Sequence, residues 1–175
     1  MTRKVYLAVL LVVWGVVSWA QTTIATFGAR IPAAGTLLDI VLDETRGRLY
    51  LVNFGNNRIE TYSIPENRFL TPIEVGLQPV SAAMSPDAQY LYVTNFGSST
   101  LSVIDLSLGG VTGTISLPAR PEGVAVGFDG RVLITTLGNV GGANSLLIFD
   151  PRQTGTAQLS AILVPPAPAA PPPLT

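Results

Sequence analysis

The sequence has no cysteine and no histidine. The first absence excludes a disulfide, a thiolate metal site and a cysteine nucleophile. The second removes imidazole acid–base chemistry, histidine metal ligands and any Ser-His-Asp triad. With no C-x-x-C-H run, a c-type haem has no attachment point. Charge is scarce as well. Of 175 residues, 12% are charged and 47% hydrophobic, far from the composition of a disordered chain. Glycine and proline are plentiful, at 17 and 14 residues, and they suit a chain with many turns. The length leaves room for one domain.

The first twenty residues read differently from the rest. Arg3 and Lys4 form a short basic start, and Val5 to Val17 is an apolar run, "VYLAVLLVVWGVV". Ser18-Trp19-Ala20 then fits the small-x-small pattern of a signal-peptidase site, so residues 1–20 are expected to be a signal peptide cleaved before Gln21. The competing reading is an uncleaved anchor, but a membrane-spanning helix needs about 20 apolar residues and this run is short of that. The site is not succeeded by a cysteine, which excludes a bacterial lipid anchor. The expectation is a secreted or periplasmic protein with no membrane association after cleavage. Removing Arg3 and Lys4 from the 10 basic residues leaves 8 against 11 acidic ones, a net charge of −3. All eight are arginine. A weakly acidic chain without a basic cluster is a poor nucleic-acid binder.

The body of the chain repeats. "YLVNFGNNRIETYS", Tyr50 to Ser63, returns as "YVTNFGSSTLSVID", Tyr92 to Asp105, forty-two positions later. Pro79 and Pro121 keep the same spacing, and Ile134 falls one step beyond Tyr92. The period divides the chain into three units: residues 38–79, 80–121 and 122–164. A lead-in of residues 21–37 precedes them. Between the end of the second and the end of the third, Asp105 to Asp150, the spacing grows to 45, because "NVGGAN" (Asn139 to Asn144) carries about three extra residues. In the second unit four strand signals appear, "VSAAMS", "YLYVTNF", "TLSVIDL" and "VTGTISL", with turn residues between them. Such a series predicts an antiparallel meander. Leu91, Tyr92 and Val93 are consecutive, whereas a sheet with one wet face would alternate cleanly. Sheets of four strands covered on both faces, repeating every 40 to 45 residues, are propeller blades.

"LYVTNFGSSTLSVIDL", preceded by "SPDAQY", resembles the YVTN-type β-propeller repeat. "LYLVNFGNNRIETYS" is a looser copy and "VLITTLGNVGGANSLLIFD" a looser one still. The resemblance covers residues 38 to about 164. It implies an all-β fold with about three four-stranded antiparallel blades in an open arc. The Gly-His and Trp-Asp signatures of WD-type propellers are absent. Residues Thr22 to Ile31 stand where the outermost strand of a preceding blade would lie. Residues 165–175, "PPAPAAPPPLT", have six prolines in eleven and read as a polyproline-like tail or linker.

Six residues are candidate ligand contacts. Asn53, Asn95 and Asn139 belong to the turns between the second and third strands, on the face through which propellers usually bind. They serve equally as turn-closing residues, with Gly55 and Gly97 supplying a positive φ and Phe54 and Phe96 packing between blades. Arg58 and Arg120 are either anion clamps or solvated surface residues. Glu122 opens the inner strand of the third unit and points either into the central channel or to the rim. "DETRGR", "SPDAQ" and "GFDGR" occupy equivalent hairpins. They lack the calcium-loop spacing, and their recurrence favours turn chemistry. Gly138 to Gly142 lacks the lysine and succeeding helix of a phosphate loop. No catalytic residue, metal ligand or cofactor is assigned.

The resulting expectation is an exported propeller segment, acting as a binding or scaffold module for a protein or small molecule. Part of a larger propeller is the expected context, with C-terminal blades outside this chain. Head-to-tail pairing of two copies is the other way to close the arc. The alternative function is a lactonase-like or redox enzyme whose active site lies mostly elsewhere. Propellers resembling this one include lactonases, whose sites need several inward carboxylates, and only Glu122 is placed to be one.

Overall fold

The computed structural model describes residues 30–138 and 145–163. The expected signal peptide, residues 22–29 of the expected N-terminal strand, Asn139 and the proline-rich tail lie outside the described residues. Arg30 and Ile31, the end of that expected strand, are exposed and not in a strand. By contacts the chain divides into two compact units, Met1–Ala33 and Ala34–Thr175. Every described strand belongs to the latter.

Among its described residues this larger unit is all β, with one short 3-10 turn at Gly155–Gln158. The first sheet runs β1 (Leu37–Asp43), β2 (Arg48–Asn53), β3 (Arg58–Ser63), then an outermost strand in two pieces, β4 (Arg68–Phe69) and β5 (Ile73–Glu74), both on β3. Pro72 stands in the break. It has no N–H to offer a ladder and is tolerated only at such an edge. The second sheet is β6 (Pro79–Met84), β7 (Tyr90–Asn95), β8 (Thr100–Asp105) and β9 (Gly110–Ser116). The third is β10 (Arg120–Val126), β11 (Val132–Leu137), β12 (Ser145–Phe149) and β13 (Leu159–Leu163). Every pairing is antiparallel and every sheet is a meander, as the repeat predicts. Each innermost strand shifts register at the same place: between Leu37 and Asp39, between Pro79 and Ser81, and between Pro121 and Val124. A recurring bulge re-aims the strand that touches the next sheet.

The sheets pack in sequence order, β1 beside β6 and β6 beside β10. Tyr50, Val52 and Ile59 of the first meet Leu91, Val93 and Ile104 of the second. Tyr92 and Leu101 of the second meet Ile134, Leu147 and Phe149 of the third. Successive residues of β7 therefore face opposite neighbours. That explains the unbroken apolar run Leu91-Tyr92-Val93. By contrast β11 alternates strictly between buried and exposed residues, because its outer face meets no further sheet. The residues uncovered at the two ends of the series are Leu38, Ile40 and Leu42 of β1, and Leu133 and Leu137 of β11. Ile134 and Leu147 are fully buried against the second sheet.

Candidate functional site

One end of the arc is built from the β2–β3 and β7–β8 turns together with the links that lead into β6 and β10. Asn53 begins the first turn and is fully buried. Its Nδ2 donates to the Ala34 carbonyl at 2.7 Å and to Glu60 Oε1 at 2.8 Å, and its Oδ1 accepts the Asn56 amide at 3.2 Å. Arg58 Nε donates to the same Glu60 oxygen at 2.7 Å. The candidate pair Asn53 and Arg58 is thus brought together on a buried carboxylate, Glu60, that no motif in the sequence marks. Gly35 lies against this amide at φ +92°, where an added Cβ would come within 2.3 Å of Asn53 Oδ1.

The second repeat rebuilds the turn with hydroxyls. Ser102 stands where Glu60 does, and Thr100 where Arg58 does. Asn95, also fully buried, donates from Nδ2 to Ser102 Oγ at 2.9 Å and Thr100 Oγ1 at 3.1 Å, while its Oδ1 is buried with no partner among the described residues. In the third repeat Thr136 faces Pro121 where Asn53 faces Leu37 and Asn95 faces Pro79. The ladder thus puts a threonine, not an asparagine, in the equivalent place, buried and hydrogen-bonded to the Ser145 hydroxyl at 2.7 Å.

The turns depart from expectation in one respect. Positive φ falls on Asn57 (57°) and Ser99 (52°), not on Gly55 or Gly97. The glycines are needed for close approach instead. A Cβ on Gly97 would stand 3.1 Å from the Leu77 carbonyl and 2.9 Å from Gln78 Oε1, and one on Gly55 would stand 3.2 Å from the Thr36 amide. Asn57 also ties the repeats together, its Oδ1 accepting the Gln78 amide at 2.8 Å.

Phe54 and Phe96 are half-buried and shape the open space at this end. A cavity of about 290 Å³ lies between Phe54, Val80, Phe96 and Glu122. A second of about 430 Å³ runs from Phe54 over Asn57 and Gln78 to Gly97. Arg120 is exposed and stacks on Phe96, its guanidinium carbon 5.2 Å from the ring centroid, a cation–π contact. Glu122 is exposed at the smaller cavity, and its carbonyl accepts the Thr94 hydroxyl at 3.1 Å. Of the candidates, then, Arg120 and Glu122 present charge to solvent beside aromatic walls, and Asn53 and Asn95 are buried inside their turns. Among the described residues no group of three or more acidic side chains is placed to hold a metal ion.

No protein-family model matches the chain, and no curated protein matches it. Solved structures do. Hydrazine synthase of Kuenenia stuttgartiensis superposes with a TM-score of 0.61 at 20% identity, over 71% of this chain and 36% of that one. The Cps50 (Swd1) β-propeller domain of Myceliophteria thermophila gives 0.60 at 10% identity, over 77% and 40%. A catalytically inactive virginiamycin B lyase from Staphylococcus aureus, solved with quinupristin, gives 0.62 at 16% identity, over 77% and 44%. These likenesses establish the β-propeller fold. The chain spans less than half the length of each of these structures.

Proposed function

We propose that this chain is an exported β-propeller segment that works as a binding or scaffold module through the face formed by the β2–β3 and β7–β8 turns. The observation that supports it is the arrangement of Phe54, Phe96, Arg120 and Glu122 around open cavities. Aromatic walls with one cationic and one anionic group at the rim suit a small polar ligand or the side chains of a protein partner. Asn53, Arg58 and Asn95 act behind that surface by fixing the turns that carry the two phenylalanines. Asn139 is the candidate that the sequence offers from the third repeat.

The YVTN-type repeat is the family reading that fits the motifs. Export rests on the basic start, the apolar run and the Ser-Trp-Ala site, with the mature chain beginning at Gln21. Further blades beyond Thr175 would cover the apolar faces of β1 and β11, and a head-to-tail second copy would cover the same faces. Mass spectrometry of the secreted product tests the first point, and an intact N-terminus in the membrane fraction would refute it. Detection of peptides that continue past Thr175 tests the second. For the face itself, the Arg120→Ala/Glu122→Ala double variant is expected to lose a bound ligand or partner that Arg152→Ala, at the opposite end, retains. Equal retention by both variants would move the site elsewhere.

A further inference from the structure

The opposite end of the arc carries the hairpins "DETRGR", "SPDAQ" and "GFDGR". Between the first and second sheets it is closed by a side chain. Asp43 is fully buried and held by Arg46, whose Nη1 donates to its Oδ2 at 2.9 Å. The same Nη1 donates to the Ala88 carbonyl of the second sheet at 2.7 Å. One repeat after Arg46 the chain has Ala88, and one repeat after Asp43 it has Ser85. A methyl group cannot make the bridge to the next hairpin, and the Ser85 hydroxyl turns instead to Asp87 at 2.5 Å. Between the second and third sheets, at this end, lies a cleft of about 640 Å³.

Its walls include Tyr90, Tyr92, Phe128 and Phe149. The Tyr92 ring meets Phe149 edge-on, centroids 6.2 Å apart, and stands tilted 36° to Tyr90 at 6.5 Å. Phe128 is 99% exposed, an aromatic ring in water at the mouth. The charges there are unequal. Arg152 is taken up by Asp150 through Nε and Nη2, both at 2.9 Å, and Arg131 Nε is taken up by Asp129 at 2.6 Å. That leaves Asp87. Its Oδ1 accepts the Ser85 hydroxyl and the Gln89 amide, and no partner of Oδ2 is found among the described residues. Those hydrogen bonds, that of Ser85 foremost, hold its carboxyl below the usual carboxylate range, so it is anionic at neutral pH.

We propose that this cleft binds an organic ammonium ion, a positively charged amine head on an apolar stem, held between Phe128 and Tyr90 over a floor backed by Tyr92, with Asp87 as counter-ion. Phe128, exposed, and Tyr90, half-buried, offer π faces at the mouth and wall of the cleft, which suits a compact cation. The volume is that of a small-molecule site. The site is separate from the turn face, so either can fail alone.

The test uses the full chain with choline as probe and 3,3-dimethyl-1-butanol as its uncharged isostere, monitored by NMR titration. Choline is expected to saturate and to shift resonances of Phe128, Tyr90 and Tyr92, and the isostere to bind about tenfold more weakly. Phe128→Ala and Asp87→Asn should each weaken choline about fivefold, Phe128→Ala without moving the Tm, since its side chain is solvent-exposed. Gly113→Leu provides an independent check, because its Cβ would sit 3.7 Å from Val103 at ordinary contact distance and its side chain would fill the cleft. Absence of saturable binding, equal affinity for the two probes, or shifts confined to the Asn53–Asn57 and Asn95–Ser99 turns would each overturn the proposal.

Discussion

Asp39 Oδ2 accepts the Ser81 hydroxyl at 2.9 Å and the Ala82 amide at 3.0 Å, so that equivalent positions of successive repeats are tied to each other. The tie joins the two innermost strands β1 and β6, just past the bulge that both share. Asp39→Ala removes a charged acceptor and strands the Ala82 N–H. The expected loss is about 1–3 kcal/mol, read as a lower urea midpoint, with Asp39→Asn recovering part of it. An unchanged midpoint would show that the apolar contacts alone hold the two sheets together.

Gly97 and Gly110 should respond unequally to alanine. At Gly97 the new Cβ meets the Leu77 carbonyl at 3.1 Å and the Gln78 side chain at 2.9 Å. Crowding of that kind costs about 1–3 kcal/mol. At Gly110 it meets nothing within 4 Å, and φ is not positive. Gly110→Ala should stay within about 0.5 kcal/mol of the parent. Thermal unfolding of the two variants side by side decides the matter, and equal Tm values would mean that the β7–β8 turn is not packed against the Leu77 link.

Asn53→Ala should destabilise more than Asn95→Ala. The first deprives a buried carboxylate, Glu60, of a donor and the Asn56 amide of its acceptor, a loss of about 2–3 kcal/mol. The second also removes hydrogen bonds, but with them a buried oxygen that has no partner among the described residues, so about 1 kcal/mol is expected. A larger loss at Asn95, measured by chemical denaturation, would contradict the hydrogen-bond assignment.

Stability should fall in acid. Arg152, through side-chain and backbone hydrogen bonds, lowers Asp150 from 3.8 to about 2. Asp87, Asp105 and Asp129 are lowered by hydrogen bonds from Ser85, Ser107 and Arg131 respectively. Groups with depressed folded values add stability above the unfolded value, and that contribution disappears as the pH drops through the folded one. The window is therefore from about pH 4 down to about 2. Asp150→Asn should flatten the dependence of Tm on pH across it, and an identical slope in the variant would place the acid response elsewhere.

The meander and its forty-two-residue period are legible in the sequence because strands and turns write themselves as local patterns. Leu91-Tyr92-Val93 even announces that both faces of β7 are covered. Contacts between repeats are out of reach of such patterns. Nothing local marks Glu60 as the carboxylate on which Asn53 and Arg58 converge, or Arg46 as a bridge to Ala88. The turn glycines suggest a conformational need, whereas the left-handed residues are Asn57 and Ser99, a conformation that asparagine in particular tolerates. Phe128 looks like part of a turn, because its environment depends on a side chain missing one repeat earlier. The contrast of Arg46 with Ala88 is visible in the sequence, but its meaning requires knowing that residue 46 reaches across.

Pro72 leaves the rim of the first sheet with strands of only two residues. An extended segment from another molecule finds too few free N–H and C=O groups there to zip onto. The rim of the second sheet is different: β9, "GVTGTIS", is seven residues long with neither charge nor proline. Edges of that kind template cross-β growth, and charge or proline is what usually guards them. If this protein assembles into fibrils, this rim is one place for them to begin, and a lysine in place of the exposed Thr112 would blunt that edge.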